Sequence, residues 1–235
     1  MRLDKFLSEM GIGTRSEVKK LLKSQKVTVN GETITKPETK IDTDKDIVCY
    51  NNKQLVYEKY EYYMFHKPAG CVSATEDNIH KTVIDYITDT VHDDLFPVGR
   101  LDIDTEGLLL ITNDGALAHN LLSPAKHVAK TYYAKIDGMV TDEDVNLFEK
   151  GVDIGEEKLT KPAKLTILKS KPISEIELTI TEGKFHQVKR MFEAVGKRVT
   201  YLKRISMGPL VLSDDLKAGE YRKLTIEEIN LLINN

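Results

Sequence analysis

Three carboxylates, Asp102, Asp104 and Glu106, fall within five residues, beside Arg100 and between Gly99 and Gly107. The apolar run Leu108-Leu109-Leu110-Ile111 follows directly and reads as a buried strand. A loop held at the edge of a buried strand presents a side chain rigidly yet within reach of a substrate. A carboxylate there can serve as a nucleophile, as a base, or as half of a glycosidase-like acid–base pair. The same residues also suit a plain turn with surface charges, and spacing alone does not separate the readings. Other chemistries find less footing. Cys49 and Cys71 are far apart, the six histidines form no HExxH or similar cluster, and neither GxGxxG nor a Walker loop occurs. The expectation is an enzyme without metal or cofactor. Trp is absent, which removes the usual aromatic platform of a glycosidase.

The elements that would position this loop alternate between strand-like and helix-like stretches from Glu61 onward. Tyr62–His66 reads as a strand that ends at the breakers in Lys67-Pro68-Ala69-Gly70. Leu108–Thr112, Val128–Ile136, Leu165–Leu168 and Ile176–Ile180 read as further strands. Asp114 caps a helix that reaches Leu122, and Thr141 with Asp144 caps one that ends at Gly151. Thr225 with Glu228 caps the last. Helix His186–Val195 buries Val188, Met191, Phe192 and Val195, with Lys189 beside that seam. The fold class expected is α+β: a mixed, mainly antiparallel sheet with flanking helices.

The first residues have a different character. Leu3, Phe6, Leu7 and Met10 share one face of a short helix, and Gly11-Ile12-Gly13 breaks it. Thr14 and Glu17 form a capping-box pattern for a second helix with Val18, Leu21 and Leu22 inward. Arg15, Lys19, Lys23 and Lys26 form a separate stripe, and Val27-Thr28-Val29-Asn30-Gly31-Glu32 is a hairpin pattern. Residues 1–40 hold nine basic side chains and five acids, while the whole 235-residue chain has net charge −3. A second cluster, Lys184, Lys189, Arg190, Lys197, Arg198, Lys203 and Arg204, is opposed within residues 183–204 by Glu193 alone. The polar patch Asn51-Asn52-Lys53-Gln54 marks a boundary. The expected division is a module at 1–50, a linker at 51–60 and a larger domain at 61–235.

The two helices, basic stripe and VxVNG hairpin resemble the RNA-binding module named after ribosomal protein S-four, the alpha-L motif. Val98-Gly99-Arg100-Leu101-Asp102, followed by Asp104-Thr105-Glu106-Gly107-Leu108-Leu109-Leu110, is similar to the signature of the RsuA family of ribosomal RNA pseudouridine synthases. His66-Lys67-Pro68-Ala69-Gly70, Lys130-Thr131-Tyr132 and Glu182-Gly183-Lys184-Phe185-His186-Gln187-Val188-Lys189-Arg190-Met191 resemble that family's other motifs, in order. The resemblance implies that Asp102 is the catalytic carboxylate, that Tyr132 stacks on the target base, and that Lys189 is the cation paired with Asp102. Arg100 is expected to hold a phosphate or the vacated helix. Arg2, Lys5, Arg15, Lys19, Lys23, Lys67 and Arg190 are expected to contact RNA. The run Asn120-Leu121-Leu122-Ser123-Pro124 before Lys130-Thr131-Tyr132 is most similar to members that act on small-subunit (16S) rRNA.

The chemistry implied is isomerisation: C1′–N1 breaks, uracil turns and C5 bonds to C1′. No atom is exchanged, which agrees with the expected lack of cofactor. Asp102 must be ionised, and a cation such as Lys189 offsets the upward push of a dry pocket on its pKa. The expected partner is ribosomal RNA or the assembling small subunit, with no membrane. The expected state is a monomer in the cytoplasm. No apolar run approaches a membrane span, and two cysteines suit a reducing compartment. The rivals are a glycosidase and a non-catalytic ribosome-associated RNA-binding factor; the carboxylate and its candidate cation are both present, as a synthase requires.

Overall fold

The computed structural model describes residues 1–234. The chain divides into two compact units: Met1–Glu61 together with Asp89–Asp94, and Tyr62–Thr88 together with the residues from Leu95 onward.

In the first unit, α1 (Leu3–Glu9) and α2 (Arg15–Leu22) precede β1 (Val27–Val29), β2 (Glu32–Thr33), β3 (Val48–Tyr50) and β4 (Lys53–Leu55). The strands form an antiparallel sheet in the order β2-β1-β3-β4. Leu3, Phe6, Leu7, Val18, Leu22, Val27 and Val48 make its core, as the helical and alternating spacings predict. The Thr14–Glu17 capping box closes in both directions. Asn30 and Gly31 both take positive φ, which an asparagine-glycine pair tolerates best. Residues expected as linker differ from expectation. Asn51 and Asn52, also at positive φ, turn the chain from β3 into β4, so the sheet extends to Leu55.

The second unit contains β5 (Tyr62–Lys67), β6 (Phe96–Pro97), β7 (Glu106–Thr112), α3 (Gly115–Leu122) and β8 (Lys130–Asp137). There follow α4 (Asp142–Lys150), β9 (Lys164–Lys169), β10 (Ile173–Ile180), α5 (Gln187–Ala194) and β11 (Arg198–Met207). Short strands β12 (Leu210–Val211) and β13 (Tyr221–Lys223) precede α6 (Ile226–Ile233). The main sheet runs β13-β5-β7-β11-β8-β10-β9, with β6 against β7 and β12 against β11. The β7–β11 pair is parallel and the other neighbours are antiparallel.

Strand β11, which the sequence reading leaves as a basic cluster, is the longest strand and lies mid-sheet. Irregular register against β8 near Val199–Tyr201 and Arg204–Ser206 breaks the alternation that would have betrayed it. The faces of α4 and α5 cover β8, β9 and β10, with the Phe148 and Phe192 ring centroids 5.0 Å apart. Among the described residues, no helix is long and apolar enough to cross a membrane.

Candidate active site

The segment from Gly99 to Thr105 enters β7 and is pinned from several sides. Ser73 Oγ donates to the Leu101 carbonyl and accepts from the Leu101 N–H, both at 3.0 Å. The Gly70 N–H donates to the Ile103 carbonyl at 2.7 Å. From the end of β5, Lys67 Nζ reaches the carbonyl oxygens of Pro68 (3.0 Å), Asp102 (3.0 Å), Ile103 (3.3 Å) and Thr105 (2.9 Å). A fixed ammonium satisfying several loop carbonyls makes the loop rigid without any regular ladder.

This corrects the expectation for Lys67. It is fully buried, so its ammonium cannot meet an RNA phosphate; it holds the loop that carries Asp102. Burial pushes its pKa down, with Cys71, Asp104, Asp102 and Glu106 pulling the other way.

Gly107 lets β7 approach β11. Its φ is +108°, and a Cβ there would lie 2.6 Å from the Arg204 backbone nitrogen and closer still to the Arg204 carbonyl oxygen. No side chain fits.

Asp102 faces helix α5. Lys189 Nζ lies 3.1 Å from Asp102 Oδ2 and 2.6 Å from Asp104 Oδ1, so one ammonium serves two carboxylates. Burial would lower the Lys189 pKa, but its bonds to Asp104 and Asp102 prevail and raise it. Burial likewise opposes Asp104, whose pKa is nevertheless lowered by the bond from Lys189. His186 Nε2 is 3.7 Å from Asp102 Oδ1. His186 sits at positive φ immediately before α5, its ring stacked on Phe185 at 3.8 Å. Gln187 orders this approach, accepting from the Lys184 N–H and donating to Glu182.

These groups line a cleft of about 1170 Å³ within the second unit. Asp102, Lys189, Tyr132 and Arg100 all border it, Arg100 from an exposed position. Tyr132 is buried on the face it shares with Ala134 and Ile136, whereas Tyr133 points the other way and donates to Glu175. Lys130 and Arg204 also border the cleft. Sequence reading missed Asp104 and His186 as partners of the Asp102–Lys189 pair, although both lie within the motifs that flagged that pair.

The second basic cluster does not form a positive surface. Arg190 donates to Glu156 at 2.8 Å, to the Phe185 carbonyl at 3.1 Å and to the Ile154 carbonyl, so its guanidinium is committed within the fold. Lys184 pairs with Glu156, Lys197 with Asp144 and Arg198 with Asp137. Arg204 is buried. The partners Glu156, Asp144 and Asp137 all lie outside residues 183–204. In the first unit, Arg15, Lys19 and Lys23 are exposed and lack ion pairs among the described residues. Arg2 clasps buried Asp4 at 2.8 and 3.0 Å, lowering the carboxyl pKa, and Lys5 lies 3.5 Å from Glu9.

Comparison with known proteins accounts for both units. A family profile described as RNA pseudouridylate synthase matches residues 61–194, and the S-four domain profile matches residues 1–48. The chain is 47% identical over 234 residues to an RNA pseudouridine synthase of Bacillus subtilis, covering 99% of this chain and 98% of the relative. It is 40% identical to the ribosomal small subunit pseudouridine synthase A of Escherichia coli, over 97% of this chain and 98% of that one. A crystal structure of a pseudouridylate synthase superposes with TM-score 0.70 at 38% identity, covering 99% of each chain. With matches spanning almost its whole length, the chain belongs to the RNA pseudouridine synthase family, whose members convert uridine in RNA to its C5-linked isomer.

Proposed function

We propose that this enzyme converts a uridine of small-subunit ribosomal RNA to pseudouridine with Asp102 as the catalytic carboxylate. The observation that carries the reading is the Asp102 carboxylate, 3.1 Å from Lys189 and 3.7 Å from His186, on a cleft that Tyr132 also lines. The Lys189 ammonium holds in place the carboxylate that attacks C1′ or removes the C2′ proton. Tyr132 offers a face for the uracil; base–aromatic stacking of about 1–3 kcal/mol offsets part of the few kcal/mol spent on extruding the base. Arg100, exposed at the rim, holds a phosphate or the vacated helix.

The labour divides along the chain. Residues 1–55 deliver the enzyme to structured RNA through Arg15, Lys19 and Lys23, and the second unit performs the chemistry. The small-subunit assignment is supported by the name of the 40%-identical relative. The enzyme works as a monomer in the cytoplasm, where free Cys49 and Cys71 stay reduced.

Two measurements test this reading. Asp102→Asn keeps the size and removes the charge, so it should abolish pseudouridine formation while RNA affinity stays within a few-fold; an active variant would remove Asp102 from its role. Carbodiimide primer extension on ribosomal RNA from cells with and without the gene should reveal one missing stop in small-subunit rRNA. A stop lost from large-subunit rRNA instead would overturn the substrate assignment.

A further inference from the structure

Arg204 is the oddest residue in the second unit. Its side chain is 2% exposed, Nε donates to the Leu108 carbonyl at 2.8 Å, and Nη2 has no hydrogen-bond partner. No carboxylate pairs with it among the described residues. An arginine keeps its proton in any protein environment, so an uncompensated charge is buried here, an expensive arrangement that calls for a reason.

Its position suggests the reason. Arg204 stands opposite Tyr132 in the β11–β8 register, and cross-strand partners share a face of a sheet. Lys130 lies two residues before Tyr132, on that face. All three side chains border the cleft. Lys130 Nζ is held by the Val128 carbonyl at 3.1 Å and also lacks an ion pair among the described residues. Burial lowers its pKa, and Arg204 lowers it further. Two cations are thus placed beside the tyrosine, while the carboxylates lie at Asp102 and Asp104 with Lys189 between them.

We propose that Arg204 and Lys130 stabilise the uracil anion that forms when the glycosidic bond breaks. The inference rests on the cleft being the synthase active site with the base on Tyr132. The C1′–N1 bond breaks with its electron pair on the ring. C1′ is satisfied by the Asp102 carboxylate, or by loss of the C2′ proton, which later returns. C5 then bonds to C1′, its proton leaves and N1 gains one, so the sum is an isomerisation. Both routes place a full negative charge on the detached ring, spread over its carbonyl oxygens. Fixed cations in a dry site stabilise such charge most where it develops. Once bound, the anion also gives Arg204 and Lys130 the partner they lack.

The test uses leaving-group chemistry. Single-turnover loss of the N-glycoside, read by chromatography of nuclease digests, is compared for RNA carrying uridine or 5-fluorouridine at the target. Fluorine acidifies the ring and carries part of the charge itself. On uridine RNA, Lys130→Met and Arg204→Met should each slow the step by about 10²-fold, the size of losing one oxyanion donor. On 5-fluorouridine RNA each deficit should shrink below about tenfold, with RNA Kd unchanged. Equal deficits on both substrates would overturn the proposal, and so would a loss confined to Kd. If Arg204→Met fails to fold, Lys130→Met decides by the same comparison. The underlying reading fails separately, by activity of Asp102→Asn on uridine RNA.

Discussion

Replacing Lys67 with Met separates a positioning role from an RNA contact. The ammonium lies 2.9–3.3 Å from four carbonyl oxygens and has three protons to share among them. Three charge-assisted bonds at about 1.5–3 kcal/mol each amount to roughly 5–9 kcal/mol. Desolvation of the buried ammonium opposes this by several kcal/mol, leaving a net loss of about 2–4 kcal/mol for Lys67→Met. Urea unfolding should register that loss. With the loop unpinned, Asp102 shifts, and a 1 Å misplacement is worth about 10²-fold in single-turnover rate. RNA affinity and its salt slope should stay as in wild type. A pH series adds a sign. The Lys67 pKa is lowered, so the unfolded chain binds the proton more tightly. Wild type should therefore gain stability relative to the Met variant as pH rises through the window just below the ordinary lysine value. A variant with unchanged stability and turnover but a shallower salt slope would refute the buried anchor and restore Lys67 as a phosphate contact.

Other substitutions probe neighbouring parts of the protein. Lys189→Met removes the cation shared by Asp102 and Asp104 and should slow the single-turnover rate, whereas Lys189→Arg should retain much more activity; equal rates for wild type and the Met variant would mean that Lys189 does not position the carboxylate. The cluster contributes to stability across a defined pH window. Asp104, with a lowered pKa, contributes above the ordinary carboxylate value and loses its contribution as pH falls through its folded value. Lys189, with a raised pKa, contributes up to the ordinary lysine value and beyond, until its folded value is passed. Gly107→Ala drives a Cβ into the Arg204 backbone and should prevent folding or destabilise by several kcal/mol in urea melts, well above the order of 1 kcal/mol typical of point changes. Reversal of Arg15, Lys19 and Lys23 to Glu should lower the salt slope of RNA binding by about 0.7–0.9 for each phosphate no longer neutralised, and spare turnover at saturation.

The helices were legible because their signals are local. Thr14–Glu17, Thr141–Asp144 and Thr225–Glu228 each set a start through bonds between residues three apart, and the structure closes all three capping boxes. Strands β7 and β10 were legible from apolar runs, since burial of every residue or of alternate residues leaves a mark in composition. Strand β11 carries no such mark. Its irregular register and its cations, one of them buried, conceal a central strand, and only pairing with β7 and β8 defines it. The carboxylate loop was visible as a loop. What holds it was not, because the Lys67 ammonium bridges 35 to 38 positions to reach Asp102, Ile103 and Thr105.

The same limit explains why charge counting located one positive surface and invented another. Residues 183–204 look basic only while their partners stay out of view. Glu156, Asp144 and Asp137 lie 28 to 61 positions away in the chain and quench Lys184, Arg190, Lys197 and Arg198. Such pairs remove the cations from any long-range attraction for phosphate. Two groups of cations without carboxylate partners among the described residues differ in their physics. Arg15, Lys19 and Lys23 stand in water, where salt screens them and where release of RNA counterions rewards them. Arg204 and Lys130 stand in the cleft, where screening is weak and the charge acts on whatever bond breaks beside it. A chain of net charge −3 can therefore carry exposed cations on its first unit and a buried and a half-buried one beside the cleft of its second.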